Sequence, residues 1–484
     1  MKQTGTLKLK TIGLILGPMA FLFMMLGTSP DYSTDQWRVM AVGLFMLIWW
    51  VTEAVPIAVT SLLPLVLFPF MGVMNVKDAS SPYGSDIVFL FLGGFLIALA
   101  LEKWNLHKRI ALNIVRLTGT KANRVVLGFM LSSGILSMWI SNTATTVMML
   151  PIAMSVIHLL ANSEQNLSEK SRKNFNLSLL LGVAYGANAG GIGTLIGTPP
   201  NLVLAGYFRD QLGIDVSFFD WMKIGLPFSI LLLFLIYFML VYVLFPNRIG
   251  NFKGIQSMIA AELKSLGAWS VQERRVLLVF GSTAVLWVLR GFLNDIVPWI
   301  QLNDTGIAIT GAIVLFVIPN NSIQSESLLN WNDSKQLPWG ILLLFGGGLC
   351  LAGAFRDVGL IEKIGVAVQS AGFESKFALM LLLGFIALFL TEVMSNVALT
   401  TVFVPVVVAI ALGLNLPPEY FAIPVTVAAS CAFMLPMSTP PNAIVFASGH
   451  IRILDMARAG LVLNVMVILI ISVLGYLFLD GFKF

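Results

Sequence analysis

Apolar runs separated by short polar segments follow one another along almost the whole chain. They lie at 11–28, 38–52, 54–73, 86–101, 122–161, 174–197, 221–245, 275–294, 305–319, 339–355, 376–413, 421–437 and 455–480. A helix needs about 20 mostly apolar residues to cross a membrane. Eleven of the runs therefore predict about eleven transmembrane helices, and the other two, 122–161 and 376–413, are roughly twice as long as one crossing.

Each of the two long runs is interrupted near its middle by polar residues, at Ser141-Asn-Thr143 and at Ser395-Asn-Val397. Irregular backbone is tolerated at membrane depth only where it is buried in protein or lines a wet cavity. The pattern therefore predicts two re-entrant helical hairpins, 122–161 and 376–413, whose tips mark an internal site.

Short motifs recur in the same order in both halves of the chain. The pairs are Ile57-Ala-Val-Thr60 with Ile307-Ala-Ile-Thr310, Phe91-Leu-Gly-Gly94 with Phe345-Gly-Gly-Gly348, Ser141-Asn142 with Ser395-Asn396, and Thr198-Pro-Pro-Asn201 with Thr439-Pro-Pro-Asn442. An odd number of spans in each half-unit would give the two copies opposite topology. Inverted-topology repeats with broken helices at corresponding positions are typical of secondary transporters.

This repeat divides the chain into four predicted parts. They are an N-terminal span (1–37), a first inverted repeat (38–245), a cytoplasmic linker (246–274) and a second inverted repeat (275–484). The linker is the most polar long stretch of the sequence. Two further stretches, 102–121 and 356–371, mix charged and apolar residues at helical spacing, which predicts helices in the membrane interface; simple loops are the alternative.

Composition supports an all-α polytopic membrane protein. Of the 484 residues 57% are hydrophobic and only 11% are charged, too few to cover a soluble protein of this size. Mean hydropathy is +0.89. These values exclude an ordinary cytosolic enzyme, a disordered scaffold and a secreted disulfide module. The net charge of +5 does not indicate nucleic-acid binding, and we interpret Cys350 and Cys431, both in apolar runs, as packing residues.

The distribution of basic residues predicts the orientation in a cell membrane. With the N-terminus in the cytoplasm and both hairpins re-entrant, most of the 29 Lys and Arg residues fall in cytoplasmic segments. Arg356, Lys363 and Lys376 are exceptions, and the C-terminus would lie outside. The basic start, 1–10, precedes an apolar run, so a cleaved signal peptide is an alternative to an uncleaved first span.

The Pro-Pro pairs predict local unwinding of two helices, in the segments 190–201 and 434–442. Unwinding would free carbonyl oxygens for a hard cation such as Na⁺. It would also leave helix N-termini, whose N–H groups favour an anion. Two such segments would give two cation positions flanking one anion. The structural alternative is that the Ser and Thr hydroxyls bond only to their own helices.

Few ionisable residues lie within the predicted spans. Glu53, Glu102 and Glu392 are the carboxylates, and a charge at membrane depth is a functional candidate by default. Glu392 precedes a hairpin tip and either tunes a cation site, carries a proton or is structural, whereas capping or interface placement suits Glu53. The three His residues are isolated, so no metal-binding set of His and Cys is expected.

Four strings resemble the divalent anion/sodium symporter family. They are Ser137-Met-Trp-Ile-Ser-Asn-Thr-Ala-Thr145, Gly193-Thr-Leu-Ile-Gly-Thr-Pro-Pro-Asn201, Thr391-Glu-Val-Met-Ser-Asn-Val-Ala398 and Met437-Ser-Thr-Pro-Pro-Asn-Ala-Ile-Val445. The resemblance covers nearly the whole chain. It implies a homodimer in the lipid bilayer in which a transport domain moves against a scaffold domain by an elevator motion.

The resemblance also implies the site residues. One Na⁺ site would be formed by Ser137, Ser141, Asn142 and Gly197, and the other by Thr391, Met394, Asn396 and Ser438. Substrate carboxylates would meet Ser141, Asn142, Thr143, Thr198, Pro199, Ser395, Asn396, Thr439 and Pro440. Val397 departs from the family's Ser-Asn-Thr pattern at the second tip, which removes a hydroxyl and bears on substrate specificity.

We therefore expect a sodium-coupled importer of C4-dicarboxylates such as succinate, fumarate and malate, with Na⁺ co-transported, and no enzymatic activity. A dicarboxylate exchanger and a sulfate or citrate carrier are alternatives of the same class. An intramembrane enzyme using Glu392 and Ser395 lacks an accompanying His or metal set. A channel fits poorly with an inverted repeat that carries two hairpins.

Overall fold

The computed structural model describes residues 3–27, 29–161, 167–250, 254–297, 299–321, 326–370 and 375–478. Within these ranges the regular structure is helical, with one isolated bridge between Pro319 and Ser327. The ends of the first and last predicted spans (28 and 479–480) and part of the predicted linker (251–253) lie outside the described residues. The prediction of an all-α membrane protein is confirmed.

The helices before the linker are numbered in chain order. They are α1 (Gln3–Leu26), α2 (Thr34–Thr52), α3 (Ile57–Thr60), α4 (Leu63–Phe70), α5 (Val76–Ser80), α6 (Asp86–Lys103), α7 (Leu106–Thr118), α8 (Ala122–Ser137), α9 (Asn142–Ala161), α10 (Glu169–Gly191), α11 (Pro199–Tyr207) and α12 (Phe218–Phe238). π-Helical turns follow α11 and α12, at Phe208–Leu212 and Met239–Leu244.

The remaining helices begin within the linker. They are α13 (Ile255–Ser265), α14 (Val271–Ile296), α15 (Asp304–Val317), α16 (Trp339–Asp357), α17 (Leu360–Ser370), α18 (Lys376–Thr391), α19 (Asn396–Gly413), α20 (Glu419–Ala429), α21 (Pro440–Ala447) and α22 (Ile453–Phe478). Short 3₁₀ turns lie at Ser81–Gly84 and Trp331–Gln336.

Seven helical stretches in the described part of the chain are long and apolar enough to cross a membrane. They are Val76–Lys103, Asn142–Ala161, Phe218–Leu244, Val271–Ile296, Trp339–Asp357, Asn396–Gly413 and Ile453–Leu477. Other predicted spans are broken. The run 54–73 contains α3 and α4, and in the run 421–437 regular helix ends at Ala429. The count of eleven crossings stays a prediction.

Three further predictions, on the charged stretches, on Glu53 and on the cysteines, can be compared directly with the structure. The stretches 102–121 and 356–371 contain α7 and α17, so the alternative of simple loops is wrong. Glu53 ends α2 in a left-handed conformation (φ 45°) with an exposed side chain, as the capping interpretation expects. Cys350 and Cys431 are buried free thiols, which confirms their interpretation as packing residues.

Both long runs fold as two helices joined by a short break, α8 with α9 and α18 with α19, and the partners pack on each other. Pro151 lies inside α9 and Pro405 inside α19, at corresponding positions of the repeated sequence. The breaks fall at 138–141 and 392–395, and each ends at the Ser of a Ser-Asn motif. Helix–break–helix structure in both runs is therefore present, while re-entry from one side of a membrane stays a prediction.

Packing across the two halves positions the candidate site. α10 lies against α8 and α9, and α20 lies against α18 and α19. The short helix α21 contacts α9 and α10, and α11 contacts α19 and α20. Each short helix that follows a Pro-Pro pair is thus packed against the hairpin of the other half.

Glycine permits the closest of these approaches. A Cβ built on Gly190 of α10 would lie 2.4 Å from the Cα of Gly134 in α8. Real Cβ atoms essentially never come so close to another backbone atom. A side chain here would push the end of α10 away from the hairpin.

Candidate functional site

Oxygen atoms of four residues gather where α8, α9 and α10 meet. A Cβ built on Gly197 would lie 2.5 Å from the Gly191 carbonyl oxygen and 2.9 Å from that of Ser137. One built on Gly191 would lie 2.8 Å from Asn142 Oδ1 and 3.0 Å from the Gly197 carbonyl oxygen. The Ser137 hydroxyl donates to Asn142 Oδ1. We call these four residues, Ser137, Asn142, Gly191 and Gly197, the first oxygen cluster.

The unwound segment after α10, residues 192–198, is held by neutral donors. Asn201 Nδ2 donates to the Thr194 carbonyl oxygen (2.8 Å) and lies 3.3 Å from that of Gly191. The Thr194 hydroxyl donates to the Met138 carbonyl oxygen. Trp221 of α12 donates from Nε1 to the Ile192 carbonyl oxygen (2.9 Å). These bonds hold the backbone around the first oxygen cluster, and the one to Gly191 involves a carbonyl oxygen of the cluster itself.

A matching arrangement lies at the break between α18 and α19. The Thr391 hydroxyl lies 2.7 Å from Asn396 Oδ1 and 2.7 Å from the carbonyl oxygen of Ala429. Ala429 is the last residue of α20. Thr391 is fully buried and Asn396 is half-buried. We call Thr391, Asn396 and Ala429 the second oxygen cluster. Thr391 and Asn396 correspond to Ser137 and Asn142 in the repeated sequence.

Asn442 organises the second unwound segment, residues 430–439, as Asn201 organises the first. Its Nδ2 donates to the Ala432 carbonyl oxygen (3.0 Å), the Leu435 carbonyl oxygen (3.2 Å) and Ser438 Oγ (3.2 Å). Asn201 and Asn442 therefore both reach carbonyls ten and seven residues before themselves. The equivalent contacts give the two segments a similar backbone scaffold.

Glu392 is buried beside the second segment and binds it through backbone N–H groups. Its Oε1 accepts from the amides of Phe433 (2.8 Å) and Met434 (2.9 Å), and its Oε2 accepts from that of Leu435 (3.0 Å). Asn464 of α22 also donates to Oε1 (2.8 Å). Among the described residues no cationic side chain pairs with this carboxylate. This geometry favours the structural interpretation of Glu392.

Four helices begin at the predicted substrate residues. Ser141 precedes α9 and accepts from the Ala144 amide (3.1 Å), and Ser395 precedes α19. Thr198 precedes α11 and Thr439 precedes α21, with Pro199 and Pro440 as first helical residues. The starts of α9 and α19 present free N–H groups and partial positive charge, so these two helix ends can bind an anion without a basic side chain. The Pro-Pro pairs that begin α11 and α21 have no N–H groups, so these two ends offer only their helix dipoles and the Thr198 and Thr439 hydroxyls.

The predicted residues differ in surroundings. Ser141, Thr143 and Pro440 are exposed, whereas Thr198 and Thr439 are buried. Val397, which takes the place of Thr143 in the repeat, is half-buried against the hydrophobic core. In the described part of the chain no hydrogen bond joins Met394 or Ser438 to Thr391, and the place of these two residues at a second Na⁺ site stays a prediction.

Several residues that shape the site were not assigned a role from the sequence. They are Tyr185, Asn188, Gly191, Thr194, Asn201, Asn442 and Asn464. Asn201 and Asn442 end the repeated Pro-Pro-Asn motifs, so the repeat itself was the signal that could have identified them. The described residues contain no group of three His, Cys, Asp or Glu side chains that could hold a metal ion, and both clusters offer only neutral oxygens.

Comparison with known sequences finds relatives over nearly the whole chain. The family described as "Sodium:sulfate symporter transmembrane region" matches residues 8–480. The chain is 41% identical over 472 residues to the sodium-dependent dicarboxylate transporter SdcS of Staphylococcus saprophyticus, covering 96% of this chain and 90% of that protein. The protein of the same name from Staphylococcus aureus strain RF122 is 41% identical over 471 residues.

Solved structures show a similar fold at low sequence identity. The YdaH transporter of Alcanivorax borkumensis aligns with a TM-score of 0.61 at 15% identity, covering 93% of this chain and 99% of its own. MtrF of Neisseria gonorrhoeae, described as one of a class of antimetabolite efflux pumps, aligns with a TM-score of 0.57 at 14% identity, covering 85% and 84%. At these identities the likeness concerns the fold alone.

Proposed function

The chain belongs to the family of the sodium:sulfate symporter transmembrane region, and on that premise we propose that it imports C4-dicarboxylates, such as succinate, fumarate and malate, together with Na⁺. It is a multi-pass membrane transporter and not an enzyme. The relatives named sodium-dependent dicarboxylate transporters cover almost the whole chain, which supports this substrate class.

The observation that carries the proposal is the pair of neutral oxygen clusters at corresponding helix breaks. Unwound carbonyls and helix ends are the groups with which broken-helix transporters coordinate Na⁺. The first oxygen cluster would hold one Na⁺ with Ser137, Ser141, Asn142 and Gly197, and Gly191 as an added carbonyl. The second would hold another with Thr391 and Asn396, and Met394 and Ser438 remain proposed backbone or hydroxyl ligands.

The substrate would lie between the two cations at the four helix N-termini. Its carboxylates would accept from the groups at Ser141, Asn142 and Thr143 on one side and at Ser395 and Asn396 on the other, with Thr198, Pro199, Thr439 and Pro440 alongside. Because no basic side chain belongs to this set, the bound Na⁺ ions would lower the cost of placing a di-anion within the membrane. Sodium and substrate binding would therefore depend on each other.

The proposal extends to the architecture of the whole chain. The matched Asn201 and Asn442 contacts favour two repeats, 38–245 and 275–484, which we propose have inverted topology and are joined by a linker at 246–274. We also propose re-entrant hairpins, a homodimer, an elevator motion, a cytoplasmic N-terminus and an external C-terminus in the cell membrane.

Radiolabelled succinate uptake into proteoliposomes tests the proposal. An inward Na⁺ gradient is compared with an equal choline gradient, in empty vesicles and in vesicles loaded with succinate. Uptake that needs Na⁺ and no internal substrate is expected. Uptake only into loaded vesicles, indifferent to Na⁺, would instead establish an exchanger. The family description includes sulfate, so labelled sulfate and citrate are run in parallel, and exclusive uptake of either would replace the dicarboxylate assignment.

A further inference from the structure

Two side chains of α10 cross from the first half of the chain to the second unwound segment. Tyr185 and Asn188 lie one turn apart on one face of the helix, and both are essentially fully buried. The Tyr185 hydroxyl donates to the Phe433 carbonyl oxygen (2.6 Å), and the rings of these two residues are 4.9 Å apart. Tyr185 therefore holds the carbonyl group of Phe433, the residue whose amide donates to Glu392.

The Asn188 amide reaches both ends of the same segment and the helix that follows it. Its Nδ2 lies 3.1 Å from Thr439 Oγ1, 3.4 Å from Asn442 Oδ1 and 3.5 Å from the Ala432 carbonyl oxygen. Asn442 in turn donates to Ser438 Oγ. A chain of amide hydrogen bonds thus runs from α10 to a residue proposed for the second Na⁺ site and to one proposed for the substrate.

The other end of this connection is the first oxygen cluster. Gly191 is three residues after Asn188, about one helical turn or 5 Å further along α10. The end of α10 is held from α12, where Ser229 donates to the Ala189 carbonyl oxygen (2.8 Å). A shift of α10 would therefore move a carbonyl of the first oxygen cluster and the donors to the second segment together.

Within the described residues, no equivalent hydrogen bonds run from α20 back to the first unwound segment. The positions that correspond to Tyr185 and Asn188, 241 residues further on, are Thr426 and Ala429 of α20, which contacts α11. Ala429 has no side-chain donor. The buried Thr426 hydroxyl and Asn201 Oδ1 are without hydrogen-bond partners among the described residues. The bonds from α10 are therefore a specific addition to the repeat and not a general consequence of its packing.

We propose that Tyr185 and Asn188 couple the two cation sites, so that Na⁺ at the first oxygen cluster raises the affinity of the second, and the reverse. Both are positioning residues, which act through the 430–439 segment and not by touching Na⁺. This inference rests on the proposed function, because it requires two Na⁺ sites. Coupling between sites in proteins is commonly five- to 150-fold in affinity, which would make Na⁺ activation of uptake steeply cooperative.

The test compares Tyr185→Phe and Asn188→Ala with Ser178→Ala. Ser178 is a matched control because it is fully buried on the same helix and its hydroxyl bonds only to the Phe175 carbonyl oxygen (3.0 Å) within α10. Succinate uptake into proteoliposomes is measured against Na⁺ concentration. Both test variants should lower the Hill coefficient toward one and raise the half-activating Na⁺ concentration at least threefold, while Ser178→Ala keeps wild-type values.

Other outcomes have distinct meanings. A wild-type Hill coefficient in Tyr185→Phe would overturn the coupling, whether or not Asn188→Ala also keeps that coefficient. A lower maximal rate with unchanged Na⁺ dependence in the test variants would overturn it too. If Asn188→Ala does not fold, Tyr185→Phe, which removes a single oxygen, decides the result. If uptake by the wild-type protein is not activated by Na⁺, the proposed function is overturned, and the coupling with it. Wild-type Na⁺ activation with unaffected variants would overturn the coupling alone.

Discussion

The unwound segments 192–198 and 430–439 start from repeated sequence but are stabilised differently. α10 continues to Gly191, whereas α20 ends at Ala429, which corresponds to position 188. The first half thus keeps an extra helical turn, in which the Ile192 amide and the Gly193 amide donate to the Gly190 carbonyl oxygen.

In the second half the equivalent turn is open, and Glu392 accepts from the three amides that the helix no longer satisfies. The corresponding residue of the first half is Met138, which has no side-chain oxygen to offer. A buried N–H group without an acceptor costs about 1–3 kcal/mol. An open turn within a membrane protein therefore requires its own acceptor, and here a carboxylate provides it.

Glu392→Ala is expected to have the largest effect of any change at the two segments. Four donors would lose their acceptor, each at about 1–3 kcal/mol. We expect a marked drop of the melting temperature in detergent and loss of most succinate uptake. Met138→Leu at the corresponding position is the control, since volume-conserving apolar exchanges usually cost less than about 1.5 kcal/mol. Equal melting temperatures for the two variants would refute the role of Glu392 as acceptor.

Substitution of Asn442 or Asn201 should have the second-largest effect. The two residues have the same role, but Asn442 makes one contact more. Asn442→Ala should raise the half-activating Na⁺ concentration by about tenfold, equivalent to about 1.4 kcal/mol. Asn201→Ala should raise it less, because only Asn442 also lies within reach of the Asn188 amide. Na⁺ titrations of uptake measure both. Asn113→Ala is the control, as that amide bonds only within α7, and an effect of Asn201→Ala larger than that of Asn442→Ala would contradict the comparison.

Substitution at the hairpin tips tests the two cation sites separately. Asn142→Ala and Asn396→Ala each remove one oxygen from a cluster. Each should raise the half-activating Na⁺ concentration about fivefold, which corresponds to about 1 kcal/mol, the free energy of one hydrogen bond. Thr391→Ser, which keeps the hydroxyl beside Asn396, should stay within twofold of the wild type. If both alanine variants kept wild-type Na⁺ activation, the assignment of two cation sites would be wrong.

Val397→Thr should have the smallest effect, and it should change only the preference among substrates. It restores at the second tip the hydroxyl that Thr143 carries at the first. Because Val397 is half-buried, we expect a change of a few-fold in the inhibition of succinate uptake by di- and tricarboxylates, with Na⁺ activation unchanged. The inhibition profile across a series of such anions measures it, and an unchanged profile would remove Val397 from the substrate site.

The sequence was informative where the repeat made a pattern visible. The two helix breaks, the Ser-Asn motifs and the Pro-Pro pairs could all be placed before the structure, since each occurs twice in the same order. The grouping of Ser137 with Asn142 and of Thr391 with Asn396 followed from the resemblance, and the structure places each pair in hydrogen-bond contact.

The contacts that differ between the halves could not be predicted in this way. Glu392 meets amides 41 to 43 residues later in the chain, and no local pattern encodes that distance. Asn188 has no polar counterpart in the second half, where the repeat places Ala429, and it reaches a segment more than 240 residues away. Such contacts depend on how the halves pack, which a motif search within one half does not reveal.

The solitary charge of Glu392 also has an electrical consequence. Moving one full elementary charge through the membrane potential involves about 2.3 kcal/mol per 100 mV. If the segment that contains Glu392 travels through part of this field with its cargo, the protein contributes a charge of its own to both the loaded and the empty movements. Voltage would then change the rates of the individual steps even for a cargo whose charges cancel, and a carboxamide at position 392 would abolish that contribution.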